Sequence, residues 1–238
     1  MNHRRLALGA CALAGALLAL TQTRAQQHPM TFFVTSTGVP GGANFGGIAG
    51  ADRHCQELAA AVGAGNHTWH AYLSEQERPG HPAINARDRI GSGPWYNARG
   101  DLVAKDVADL HAKEHLTGLT LTEQGVPVPS EGTPAHPDDK TWAYMAVHPE
   151  SIRHEILTGS NREGRAYADG RDHTCNNWTS EEDGNSPNRA RFNTGPGAQI
   201  GKSDETGPWN DQGISGGCSH VAMARSHGAG LNYCFAVE

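Results

Sequence analysis

The sequence predicts a single α+β domain, rich in loops and closed by disulfides, behind a cleavable export leader. Three observations lead there. One amphipathic helical segment, residues 52–62, stands among several short β-branched or aromatic runs. Thirty glycines and 13 prolines make about 18% of the chain residues that punctuate regular structure. Four of the five cysteines lie beyond residue 26, an even number suited to pairing in an oxidising compartment.

The leader comes first in the chain. MNHRR precedes the 15-residue apolar run LALGACALAGALLAL, and Thr23-Arg24-Ala25 forms a small-residue exit. Residues 1–25 therefore read as a signal peptide, and 26–238 as one exported domain, periplasmic or secreted. The run is shorter than the roughly 20 residues that cross a bilayer, so no membrane span is expected after cleavage. Cys11 leaves with the leader; too little apolar sequence precedes it for a lipidation site. Arg4, Arg5 and Arg24 leave too, so 16 basic residues face 25 acidic ones, a net charge of −9. That balance argues against nucleic acid as a partner, because basic side chains must replace phosphate counterions there. It leaves cations and neutral ligands such as sugars as easier partners.

Within the mature chain, Thr31-Phe32-Phe33-Val34-Thr35 reads as a strand. The six glycines between 38 and 50 make a turn-rich connection without GxGxxG or GxxxxGK[ST] spacing, so it is not a phosphate loop. In the helix at 52–62, Cys55, Leu58, Ala59 and Val62 share one apolar face, with Asp52 suited to the first turn or cap and Gly63 and Gly65 to stop it. Residues 69–74 alternate as a strand, Trp95-Tyr96-Asn97 form a short one, and 97–100 turn. Leu102, Val103, Val107 and Leu110 are core candidates, and 119–123 is a further brief strand. Residues 126–151 hold five prolines and read as an inserted loop around the apolar piece Trp142–Val147. Ile156 resumes the core, 176–217 is a long loop region with few large apolar residues, and 231–237 closes the chain as an alternating strand. Loops of that length in a compact domain tend to carry function.

The available chemistry is limited. GxSxG and HExxH are absent, and Ser219-His220 and Ser226-His227 carry no triad spacing. His111 and His115, four apart, suit zinc only on a helix, and surface solvation is the plainer reading. The stretch 181–211 offers the carboxylate and amide oxygens that calcium takes from flexible loops, among them Asn188, Asp204, Glu205, Asn210 and Asp211. Trp178, Trp209 and Trp95 are candidate platforms for a pyranose ring, each equally suited to the core. From the residues alone, the four cysteines leave all three pairings open.

The blocks FFVTS, GGIAGADRHCQELAAAVG, TWHAYLS, NARDRIGSGPWYNARGDLVAKDVADLH, LTEQG, HEILTGS, TCNNWTS, PWNDQG, GCS and LNYCF, in that order, resemble the small exported bacterial proteins labelled "lectin". The resemblance runs from about Thr31 to Val237 and implies a C-type-lectin-like, endostatin-like fold. It implies pairing of Cys55 with Cys234 and of Cys175 with Cys218. It further implies that Asn210 and Asp211 are calcium ligands, helped by Asn188 and by Asp204 or Glu205. Trp209, Asn210, Asp211 and Trp178 would then touch the sugar. Ser186 stands where an acidic ligand belongs in the Ser186-Pro187-Asn188 element, which weakens the calcium set. The expected function is non-catalytic binding of a glycan or cell-surface saccharide, with calcium as candidate cofactor. The alternative is an exported module of the same fold that contacts another extracellular protein or serves a structural role.

Overall fold

The computed structural model describes residues 28–129, 153–183 and 196–237. The expected leader, nearly all of the expected 126–151 insertion with Trp142–Val147, and the Ser186-Pro187-Asn188 element lie outside the described residues. The fold is mixed α+β. Its strands are β1 (Phe32–Val34), β2 (Trp69–Ala71), β3 (Trp95–Tyr96), β4 (Leu102–Ala104), β5 (Glu155–Leu157), β6 (Gln199–Lys202), β7 (Gly213–Ile214) and β8 (Gly228–Ala236). Its right-handed helices are α1 (Ile48–Ala61), α2 (Val107–Ala112) and α3 (His220–Arg225). Among the described residues no helix is long and apolar enough to cross a membrane.

The main sheet runs β1-β8-β5-β6-β7, with β2 also paired to β8. β8 is antiparallel to β1 in the register Phe32↔Phe235 and Val34↔Tyr233, and antiparallel to β2 in the register Ala71↔Cys234. It is parallel to β5, with Ile156 opposite Leu231. Because side chains alternate across a sheet, β1, β5 and β8 each serve two cores. Phe32, Val34, Ile156, Leu231, Tyr233 and Phe235 face one core with Trp95, Leu110 and Trp209. Phe33, Leu157, Cys234 and Ala236 face the other, with Ala51, Cys55, Ala59, Trp69 and Trp178. All nine residues of β8 are buried.

Helix α1 starts four residues before the expected position. Gly47 precedes it without a side-chain cap, and the Glu75 carboxylate accepts the Ile48 N–H at 3.3 Å instead. Asp52 therefore does not cap the helix. It lies inside it, accepting the Ala71 amide at 2.8 Å and the Arg89 guanidinium at 2.6 Å, which fastens α1 to β2. The buried face is Ala51, Cys55 and Ala59, at i, i+4 and i+8. Val62 falls beyond the last helical residue and is exposed, contrary to the expectation that it packs on this face, and Leu102 is exposed as well. Val103 and Leu110 are core residues. The turn at 97–100 joins β3 to β4, with the Asn97 side chain accepting the Arg99 and Asp101 amides. Two strands, β6 and β7, occupy the region expected to be only loop; at two to four residues each they leave no periodic trace in the sequence. Ser219, instead of flanking His220 on a strand, caps α3 by accepting the Ala222 N–H at 3.1 Å.

Of the three pairings, the fold adopts Cys55–Cys234 and Cys175–Cys218. The first joins α1 to β8 across 179 residues of chain, and the second spans 43. Closing so long a loop removes much of the unfolded chain's freedom. The double change Cys55→Ala, Cys234→Ala is expected to lower unfolding stability by about 2–5 kcal/mol with the inner bridge intact. Urea unfolding monitored by tryptophan fluorescence measures it.

Candidate functional site

The segment Cys175–Trp178 turns in the left-handed sense, with φ of 48, 61, 51 and 63°. Left-handed helical backbone costs L-residues roughly 1–2 kcal/mol each, least for asparagine, and Asn176 and Asn177 sit in the middle. The surroundings hold the turn in place. The Asp172 carboxylate accepts the Thr174 and Asn176 amides at 2.9 and 2.7 Å, and Thr174 Oγ1 accepts the Asn177 amide at 3.0 Å. Trp178 is fully buried; its indole N–H donates to Ser74 O at 2.8 Å, and its carbonyl accepts the Phe45 and Gly47 amides. Gly159 is needed beside it, because a Cβ there would lie 2.7 Å from the Trp178 ring and φ is +60°. Asn177 pairs with the Gln76 backbone as a strand would, accepting its N–H at 2.9 Å and donating to its carbonyl at 3.0 Å.

Gln76 passes this order on. Its side-chain amide donates to the Tyr167 and Arg171 carbonyls at 3.2 and 2.6 Å and accepts the His173 N–H at 2.6 Å. Two loops are thereby set as the walls of an open cleft of about 540 Å³, lined by Gln76, Glu77, Arg78 and Pro79 on one side and by Tyr167 and Ala168 on the other. A backbone pair between Arg78 and His81 stiffens the first wall. Tyr167 is half-buried. Its ring stacks on His173 with centroids 3.9 Å apart and planes 11° from parallel, and its hydroxyl donates to Asp211 Oδ1 at 2.7 Å. Gln199 donates to the same oxygen at 2.6 Å. Burial, and then the Asp211 carboxylate, push the Tyr167 phenol above its ordinary range, so the hydroxyl keeps its proton and serves as a donor.

The other expected site residues lie elsewhere. Trp209 is enclosed by Tyr72, His111 and Tyr233, and its indole N–H has no partner among the described residues. Neither Trp209 nor Trp178 turns a ring face to solvent, so neither can lie under a sugar here. Asn210 is buried, its amide shared among Tyr72 Oη and the carbonyls of Asn161 and Arg162 at 3.0–3.2 Å. Tyr72 in turn hydrogen-bonds His111 at 2.8 Å, and His115 bonds the Gly207 carbonyl, so that pair does not converge on zinc. Asp204 receives His154 Nδ1 at 2.7 Å and the Thr206 hydroxyl at 2.6 Å, sharing no partner with Asp211. Glu205 is exposed. Calcium takes six to eight converging oxygens. Asn210, Asp211, Asp204 and Glu205 do not assemble such a cage, and among the described residues no group of three His, Cys, Asp or Glu is gathered for a metal.

Tyr167, Gln76, His173 and Gln199 were missed in the sequence. Tyr167 did carry a signal, a lone aromatic in the polar RAYADG segment. No protein-family model and no curated protein matches the chain.

At the ends of β5 and β6, Asp204, His154, Lys202 and Glu155 form a buried chain of contacts, with His154 Nε2 2.7 Å from Lys202 Nζ and Glu155 3.5 Å beyond. Burial opposes ionisation of Asp204, but His154 and Thr206 win and hold its carboxyl well below the ordinary 3.8. A depressed carboxyl stabilises the fold above its unfolded value and loses that contribution as pH falls. Burial pushes Glu155 the other way, so its contribution is present in acid and fades as pH rises. Asp204→Asn is therefore expected to lower stability at neutral pH and to flatten its decline between about pH 5 and pH 2. Urea midpoints across that range give the comparison.

Proposed function

We propose that this is a non-catalytic, lectin-like carbohydrate-binding domain of C-type-lectin-like fold, exported to the periplasm or beyond, and that the cleft beside Tyr167 holds the sugar. The observation that carries the reading is the braced tyrosine. Its ring is backed by His173 and its hydroxyl tied to Asp211, so one aromatic face is held in fixed orientation at the wall of an open polar cleft. An aromatic face covers the apolar face of a pyranose, and the polar rim supplies partners for hydroxyls. A volume of about 540 Å³ falls within the usual range for small-ligand sites. The lining carries both signs, Glu77 and Arg78, within a net acidic chain, which favours a neutral saccharide over a polyanion.

Asp211 keeps a role in this reading, as the group that orients Tyr167, with direct hydrogen bonds in place of a calcium bridge. The order inherited from the left-handed turn through Asn177 and Gln76 supports it, since a wall that is already set loses little entropy when a ligand binds. The four mature cysteines are all oxidised and supply no thiolate nucleophile.

A glycan array probed with the disulfide-intact protein, with and without chelator, tests the reading. Binding is expected in both conditions. Tyr167→Ala should weaken it about tenfold or more with the far-ultraviolet spectrum unchanged, while Tyr167→Phe keeps the platform and most of the affinity. Binding that requires calcium would return Asp211 to the role of ligand. No binding to any glycan would favour the protein-contact alternative.

A further inference from the structure

The hydrogen bonds behind Tyr167 constrain a proton. Gln199 is buried, and its side-chain amide lies between Asp211 and His173. At 2.6 Å from a carboxylate oxygen, the end of the amide facing Asp211 must be the NH₂, because two oxygens at that distance with no proton between them repel. The end facing His173 Nδ1, at 3.3 Å, is then the carbonyl oxygen, an acceptor. An acceptor there requires Nδ1 to carry hydrogen. On the other side of the ring, Nε2 lies 3.1 and 3.0 Å from the two oxygens of Asp169, again acceptors, so Nε2 carries hydrogen as well. A ring with both nitrogens protonated is an imidazolium. Its face lies against Tyr167, and a cation over an aromatic face is attracted by the ring quadrupole.

We propose that His173 is a cationic positioning residue in the resting fold, held as an imidazolium by Asp169 and Gln199, and that its charge fixes the Tyr167 ring for ligand. The part assigned to Tyr167 rests on the carbohydrate reading; the charge of His173 does not. The charged groups around it are Asp169, Asp172 and Arg171 on its own loop, Asp211 beyond Gln199, and Glu77 and Arg78 on the opposite wall of the cleft. Gln199 separates His173 from Asp211, so the two do not touch. The Asp169 carboxyl lies below its ordinary range; burial opposes this, and the Arg171 amide and the His173 ring outweigh it. When the ring loses a proton, either Nε2 meets the Asp169 carboxylate lone pair to lone pair, or Nδ1 meets the Gln199 oxygen in the same way unless Gln199 turns its oxygen on Asp211. Either outcome loosens the stack under Tyr167.

Long-range proton–nitrogen spectra of the ligand-free, disulfide-intact protein test the charge directly. At neutral pH both His173 nitrogens should show the imidazolium pattern. A neutral-ring pattern with one pyridine-type nitrogen overturns the proposal, whatever the glycan array finds. Asp211→Asn releases the constraint on Gln199, since an amide accepts or donates, and should let a neutral ring appear at the same pH. An unchanged imidazolium in that variant counts against the hydrogen-bond logic. With the strongest glycan from the array, titration calorimetry should show affinity falling roughly three- to tenfold as pH is raised until the ring is neutral. His173→Gln should start at that weaker level and stay flat with pH. A wild-type affinity that holds through the spectroscopically observed loss of the proton removes the positioning role.

Discussion

Strand β8 touches β1, β2, β5, α1 and α3, and the rest of the domain is arranged around that one buried strand. Around Cys234 both of its edges are in use, one by β1 and the other by β2, and its alternating side chains supply both cores. A one-residue slip would exchange Tyr233 and Phe235 for Asn232 and Cys234 in the aromatic core, so the register is strongly specified. The Cys55–Cys234 bridge fastens the helix at the point where β8 is paired on both sides. The Asp52 carboxylate adds a second tie from the same helix to the neighbouring strand.

The cleft depends on this frame through a chain of backbone contacts. Ser74, just past β2, receives the Trp178 indole and donates its amide to Thr158, just past β5. Those two strands therefore place the left-handed turn, and the turn places Gln76. The strain of four positive-φ residues is tolerable because each is tied: Cys175 by a disulfide, Asn176 by Asp172, Asn177 by Gln76 and Trp178 by Ser74. Strain of this sort persists only where the surroundings over-determine it, and it clusters where a binding surface has to be held in one shape.

Polar groups inside the domain are used for position more than for net stability. Buried ion pairs return little beyond their desolvation cost, yet the contacts from Glu155 through Lys202 and His154 to Asp204 tie β5 to β6 and to the segment beyond it. The chain from Asp169 through His173 and Gln199 to Asp211 does the same for the cleft, connecting the 167–173 loop, β6 and the segment after Trp209. Each network is satisfied along its length, which in a low-dielectric interior fixes geometry as firmly as packing does.

Much of the frame was legible in the chain. The period-two runs at 31–35 and 231–237 become β1 and β8, and the i, i+4 spacing of Cys55 and Ala59 marks the buried face of α1. These are local properties: a residue's side of a strand or helix follows from its neighbours alone. Asp52 and Val62 escaped the pattern because their environments are set by β2 and by the helix end, not by spacing. The candidate site was less legible still. Trp178 and Trp209 have the composition of sugar platforms, yet the tertiary structure buries both and leaves Tyr167 half-buried at the cleft instead. Gln76 and His173, 97 residues apart in sequence, meet around Tyr167 with Gln199 and Asp211 from still farther along the chain. No spacing rule encodes that meeting. It follows from the register on β8, from the disulfide pairs, and from the need of each buried donor and acceptor to find its partner.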